Sequence, residues 1–379
     1  MSSIPESKDK PLFTPGPLTT SRTVKQAMLK DLGSRDFAFI QVIQEIRNGL
    51  LMLAGGVKGE YEAVPMQGSG TFAVEAVLTS TVPRDGKVLI LINGAYGHRM
   101  VKICKTACID FTSLEFPEDA SPEVTPVAEL LNADPAITHV AVVHCETTTG
   151  IVNPLQELGR MVRDKGRVFF VDAMSSFGGI PMDMNALAAD FLISSSNKCI
   201  QGVPGFGFVI ARREELEKIK GRARSLSLDL YDQWETMEKQ SGRWRFTSPT
   251  HVVRAFAEAL RELDEEGGIE ARYARYRVNQ DLLATGMEEL GFRCLLPREC
   301  QSPIITAFFT PRHPLYDFKS FYNELKGRGF VVYPGKVTST DSFRIGSIGN
   351  VFPGDIERLL QAVRESMTWE EQSVQEVFK

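Results

Sequence analysis

The chain of 379 residues contains no apolar run near the roughly 18 residues that a membrane helix needs. Its first residues, MSSIPESKDKPLF, hold neither a hydrophobic segment nor a cleavage pattern, so no secretory signal is expected. Six cysteines are too scattered for a disulfide framework and read as the reduced thiols of a cytoplasmic protein. Cys104 and Cys108 are spaced for one helix face, but no second Cys/His pair at zinc spacing accompanies them, so no metal is expected. Positive charge is not in excess: the formal net charge is -5, which gives no reason to expect nucleic acid or an anionic membrane as partner. Internal repeats and low-complexity segments are absent. So are the lysine of a Walker A loop and the spacing of a dinucleotide fingerprint.

What is present is the profile of a globular protein, with 43% hydrophobic and 24% charged residues over a length that suggests two domains or three. Short apolar runs at Val88 to Ile92, His139 to Val143, Val168 to Val171, Phe191 to Ile193 and Phe208 to Ile210 are rich in β-branched and aromatic residues. Helical patterns separate them at Thr71 to Ser80, Arg99 to Cys104, Pro154 to Lys165 and Arg212 to Lys220. The alternation predicts an α/β fold with a mostly parallel sheet covered by helices. Beyond residue 248 the pattern changes to two long amphipathic helices, Pro249 to Glu265 and Ile269 to Leu290, broken at Gly267-Gly268. Strand candidates at Ile304 to Phe309 and Phe330 to Tyr333 follow, then a closing helix from Pro353 to Trp369. This predicts an N-terminal arm over residues 1–20, a large domain over 21–260 and a smaller α+β domain over 261–379.

Sites in open α/β sheets collect beyond the carboxyl ends of the strands, and here those ends are polar. The runs lead into Asn93 to Gly97, His144 to Gly150, Asp172 to Ser176 and Ser194 to Lys198. Gln67-Gly68-Ser69-Gly70-Thr71 precedes a helical pattern, and its glycines, hydroxyls and free N–H donors suit a phosphate monoester; an ordinary capped helix would read the same. Asp172 ends an apolar strand, where a carboxylate is costly without a cation, such as a protonated ring nitrogen; it could also cap its own turn. Lys198 has small or apolar neighbours, unlike a surface lysine, and desolvation would free its neutral amine for Schiff-base chemistry. Tyr96, between Gly94 and Gly97, could stack on a flat ring or be a loop tyrosine. Arg344, in the segment Ser342 to Gly349, suits an anion bidentately or a structural ion pair.

These residues match a family. The chain resembles the fold-type I, class V aminotransferases that depend on pyridoxal 5′-phosphate (PLP), from Leu12 to Arg22 through to the closing helix. The resemblance rests on Glu146 to Gly150, Asp172 to Gly179, Asn197 to Gly205, Arg224 to Leu230 and Trp244 to Thr250. It implies that Lys198 holds PLP as an internal aldimine, that Asp172 pairs with the pyridine nitrogen, and that Tyr96 stacks on the ring. Ser69, Gly70, Thr71 and Asn197 would bind the cofactor phosphate, joined by Thr247 from the partner subunit of a homodimer with shared active sites. Thr148 would meet the phenolic oxygen, with Thr147 a near-equal candidate, and Arg344 would hold the acidic end of the substrate.

The resemblance further implies small-molecule substrates: 2-aminoethylphosphonate as amino donor and pyruvate as acceptor, giving phosphonoacetaldehyde and L-alanine by ping-pong turnover in phosphonate catabolism. An alanine–glyoxylate or serine–pyruvate transaminase would share the cofactor residues and differ in the donor. A cysteine desulfurase would need a reactive loop cysteine, for which Cys294 and Cys300 carry no nucleophilic signature. A zinc deaminase, hinted at by His144-Cys145-Glu146, would need a downstream Pro-Cys-x-x-Cys that is absent.

Overall fold

Side chains along the strand Lys87–Ile92 alternate between two apolar cores: Val88, Ile90 and Ile92 join one, Leu89 and Leu91 the other. A strand wetted on neither face reads as a continuous apolar run, which is why the sequence marks it so clearly. The computed structural model describes residues 10–333 and 341–369. Seven strands form the central sheet, in the spatial order Tyr61–Gln67, Phe206–Arg212, Phe191–Ser195, Val168–Asp172, Ile137–Val143, Lys87–Ile92 and Asp110–Glu115. All neighbours pair in parallel except Phe206–Arg212, which runs against both of its neighbours. The sheet is therefore mostly parallel and covered by helices, as expected.

The two outermost strands lack the apolar signature for physical reasons. Asp110–Glu115 is an edge strand with no fully buried side chain. Tyr61–Gln67 carries Pro65, which an edge strand tolerates because one row of its N–H groups needs no partner. The helix expected at Arg99 to Cys104 is longer, spanning Ala95–Thr106, so Tyr96 sits in its first turn rather than in a loop. The helix expected over Arg212 to Lys220 shrinks to Arg213–Glu217, since Arg212 still belongs to the preceding strand.

Further along, the helices Thr250–Glu265 and Gly268–Glu289 meet at Gly267 and Gly268, whose φ values of 105° and 77° lie in the left-handed region that favours glycine. The strand Ile305–Phe309 pairs antiparallel with Ser342–Gly346, which carries Arg344 and which the sequence reading did not mark as a strand. A third core gathers Leu283, Met287, Phe308, Phe343, Ile345 and Val363. Phe13 of the arm is fully buried in it, and Leu12–Phe13 pairs in parallel with Val331–Val332. The arm is thus stitched to the C-terminal part of the chain. Its first nine residues, and the last ten of the expected small domain, lie outside the described residues.

Candidate active site

The register of the sheet draws the polar strand ends together. Asp172 lies opposite Val143 on one side and Ile193 on the other. Glu146 follows three residues after Val143 and Lys198 three residues after Ser195, so all three groups reach one rim. Lys198 is half-buried, and its Nζ donates to the carbonyl oxygens of Pro15 at 3.0 Å and Gly16 at 3.1 Å. The arm passes so close that a Cβ at Gly16 would sit 2.7 Å from Lys198 Cδ; its φ of +109° also favours glycine. Burial pushes the amine down to about 8, partly opposed by the Asp172 carboxylate. Below it, Arg272 Nη1 and the Tyr276 hydroxyl both donate to the Cys199 carbonyl, at 2.8 and 3.2 Å, fixing the turn that follows the lysine.

Asp172 is buried and accepts from Met174 N at 2.9 Å, yet forms no ion pair among the described residues. Burial lifts its carboxyl to about 6, against the pull of the Arg99 and Lys198 charges. Both readings of this residue therefore have a counterpart in the geometry: it caps its own turn and still lacks a cation.

The segment before the helix Gly70–Thr81 is braced by Gly68 N, which donates to Gly205 O at 3.1 Å. Ser69 takes the N-cap position with φ -80° and ψ 170°, but its hydroxyl makes no cap hydrogen bond, and its side chain is exposed. The first N–H donors of this helix are left without a side-chain acceptor, together with the positive end of its dipole. A Cβ at Gly70 would run into Met174 Sδ. Thr71 Oγ1 accepts from Arg99 Nη1 at 3.4 Å, and the Arg99 guanidinium lies 4.9 Å from the centre of the Tyr96 ring. Asn197 is half-buried, and its side chain makes no hydrogen bond among the described residues. Thr247 is exposed, beside the exposed Phe246, and the fold of one chain makes no hydrogen bond between it and the Gly68 to Thr71 segment.

The substrate side is built around Arg344, 4% exposed. Its Nη1 donates to Thr147 O at 2.8 Å, and the Tyr333 ring centre lies 4.8 Å from the guanidinium. Its Nη2 is buried without a hydrogen-bond partner, and no carboxylate pairs with it among the described residues. The structural ion pair that the sequence left open is thus not formed among the described residues. Thr147 Oγ1 bonds the Tyr96 hydroxyl at 2.9 Å, whereas Thr148 Oγ1 accepts from Ala95 N at 3.2 Å and donates to Glu146 Oε2 at 3.3 Å. Ser195 Oγ, close to Gly70, is also buried and unpartnered.

The residues present fit PLP and an anionic substrate. An open helix N-terminus flanked by Ser69, Thr71 and Arg99 suits a phosphate. The uncompensated Asp172 suits a protonated ring nitrogen, the desolvated Lys198 a carbonyl carbon, and the unpaired Arg344 Nη2 an oxyanion. Three residues here escaped the sequence reading of roles: Glu146, Arg99 and Arg272. Glu146 could have been suspected as a carboxylate directly before three threonines at a strand end. Arg99 and Arg272 had no such signal, since each is one arginine of an ordinary helical pattern.

The aminotransferase class V family model matches residues 23–352. The chain belongs to the class V aminotransferase family. A 2-aminoethylphosphonate–pyruvate transaminase of Syntrophobacter fumaroxidans is 60% identical over 356 residues, covering 94% of this chain and 96% of the relative. One from Vibrio cholerae is 55% identical over 361 residues, covering 95% and 98%. Among solved structures, the ureidoglycine–glyoxylate aminotransferase of Bacillus subtilis superposes with a TM-score of 0.87 at 23% identity, covering 97% of this chain and 95% of that one. At that identity the likeness concerns the fold, and the fold is that of a class V aminotransferase.

Proposed function

We propose that this class V aminotransferase moves the amino group of 2-aminoethylphosphonate to pyruvate, giving phosphonoacetaldehyde and L-alanine. The observation that carries the reading is Arg344: a buried guanidinium with an unpaired Nη2 on the rim that holds Lys198. A charge buried without a counter-ion is costly, and a dianionic phosphonate would supply that counter-ion in each donor half-reaction. The name of the relative that is 60% identical supports phosphonate over carboxylate.

PLP, carried on Lys198, would supply an electron sink for the pair left when the donor's C–H bond breaks. Asp172 would keep the ring nitrogen protonated, and Tyr96 would stack on the ring. Thr148 would face the phenolic oxygen, with Thr147 as the alternative already engaged by Tyr96. Ser69, Gly70, Thr71 and Asn197 would hold the cofactor phosphate by their N–H and polar groups. Freed once the donor's amine takes its place on the cofactor, the Lys198 amine, which burial pushes down to about 8, would take the proton from the amine-bearing carbon and return it to the carbon on the far side of the nitrogen. With pyruvate the same groups work in the opposite direction, so the two substrates alternate in one site.

Thr247, exposed in the single chain, would complete the phosphate site from the partner of a homodimer. The exposed Leu226 and Phe246, in the segments before and after the helix Leu230–Lys239, support such an interface. The arm, large and small domains remain the reading of the chain's division, supported by the separate third core. A cytoplasmic location is supported by the six unpaired cysteines and by the absence, among the described residues, of any helix able to cross a membrane.

Two measurements test this reading. Lys198→Ala should remove turnover and the visible band of the bound cofactor; full activity in that variant would end it. With pyruvate as acceptor, 2-aminoethylphosphonate should exceed serine as donor by at least tenfold in kcat/KM. Serine as the better donor would favour a serine–pyruvate transaminase instead.

A further inference from the structure

Glu146 is fully buried, and among the described residues no lysine, arginine or histidine pairs with it. A carboxylate in that position must find its hydrogen bonds elsewhere. It finds them at the start of the helix Ala95–Thr106. The residue before that helix is Gly94, which has no side chain to cap the first turn. Glu146 Oε1 accepts from both Tyr96 N and Gly97 N at 3.2 Å, and Oε2 accepts from Thr148 Oγ1 at 3.3 Å. The missing side chain at Gly94 is what admits it, since a Cβ there would lie 2.5 Å from the Glu146 carboxyl carbon.

We propose that Glu146 is a positioning residue for the cofactor ring: it caps, from a distant loop, the helix turn that carries Tyr96, and it orients the Thr148 hydroxyl. One side chain thereby holds both the helix turn that carries the stacking aromatic and the hydroxyl that would meet the phenolic oxygen. The linkage extends to the substrate side. The Tyr96 hydroxyl bonds Thr147 Oγ1, and the Thr147 carbonyl accepts from Arg344 Nη1. The stacking ring and the anion-binding arginine are thus held by the same three-residue stretch, Glu146 to Thr148. What this role requires is reach and acceptor oxygens at the right place, and not the negative charge itself.

The inference rests on the reading that Lys198 carries PLP, and the wild-type chain checks that reading separately by showing a cofactor band. Two variants separate reach from charge without opening a large cavity. Glu146→Gln keeps the length and an acceptor oxygen while removing the charge. Glu146→Asp keeps the charge and draws the oxygens back by one methylene.

The readouts are PLP affinity of the apo full-length enzyme, the wavelength of the bound cofactor's visible band, and the split between kcat and KM. Glu146→Gln should bind PLP within about threefold of wild type, since an amide oxygen still accepts the two N–H groups. Glu146→Asp should weaken PLP by roughly tenfold or more, shift the band and lower kcat more than it raises KM, because one net hydrogen bond per lost acceptor contact is at stake. Equal behaviour of the two variants, or the reverse order, would overturn the proposal. A wild type with no cofactor band would overturn the PLP reading and this proposal with it, whereas a normal wild-type band with equal variants overturns this proposal alone.

Discussion

Two buried arginines of this enzyme differ in almost everything except burial. Arg272 is 1% exposed and Arg344 4% exposed. Arg272 has a carboxylate and a carbonyl: Nε meets Glu266 at 2.5 Å, Nη1 meets the Cys199 carbonyl at 2.8 Å, and the guanidinium approaches the Tyr276 ring. Arg275 shares the same Glu266 and holds the carbonyls of Gly349 and Val351, so the cluster ties the lysine loop to the segment after Arg344. Arg344 has one carbonyl, one ring and an unpaired nitrogen. A satisfied buried charge stabilises an arrangement, whereas an unsatisfied one marks a place where something else must bind.

The largest effect expected from that contrast is on catalysis. Arg344→Met should lower kcat/KM for 2-aminoethylphosphonate by ~10²–10³-fold, the worth of a lost bidentate charge-assisted contact. Its melting temperature should stay within a few degrees of wild type, because no ion pair is broken. A large loss of stability would place Arg344 with Arg272. Arg272→Met should show the opposite balance, costing ~2–3 kcal/mol in a denaturant titration, since Glu266 keeps Arg275 but Cys199 loses a donor. A drop in kcat/KM exceeding that of Arg344→Met would break the comparison.

A smaller effect is expected from pH. Burial lifts Glu146 to about 7, well above its unfolded value near 4.5. Between those two values the unfolded chain has already released the proton that the folded chain keeps, so this group's contribution falls as pH rises through the window and is constant above it. Glu146→Gln removes the term. The variant's apo stability relative to wild type should therefore improve from pH 4.5 to 7, by at most ~3 kcal/mol. A pH-independent difference between the two would show that Glu146 is ionised throughout.

The smallest effect repeats the arginine contrast at helix ends. Asp229 bonds Asp232 N at 3.0 Å as an N-cap, while Ser69 makes no such bond. Asp229→Ala should cost ~1 kcal/mol in the apo protein, as caps ordinarily do. Ser69→Ala should cost the apo protein nothing measurable and weaken PLP by ~3–10-fold. Loss of apo stability in Ser69→Ala would mean that the hydroxyl serves the helix after all.

Much of this was legible along the chain, and for a definite reason. Five of the seven sheet strands lie inside the protein, so they read as unbroken apolar runs, and their ends bring Asp172 and Lys198 to one rim. The edge strand Asp110–Glu115 has polar and half-wetted positions and sends no such signal. Tyr96 was legible as an aromatic between glycines, but its place in a helix was not, because the cap comes from Glu146, fifty residues on. The strand carrying Arg344 was hidden because it is short and interrupted by the arginine itself.

By itself, then, the sequence determined the layered α/β plan, the positions of its buried strands along the chain, and the identity of a lysine, an aspartate and a glycine-flanked hydroxyl segment as candidates. These follow from local properties: apolar period, strand length and turn chemistry. Only the tertiary structure decided which charges are satisfied. Arg344 stands out in its apolar segment and Arg272 does not in its helical one, yet nothing local says which of the two charges the fold pairs. Their partners lie at Glu266 and Cys199 for one, and at Thr147 with an unfilled position for the other. Hydrogen-bond satisfaction is a property of the closed fold, because it depends on atoms that the chain brings together only when it packs.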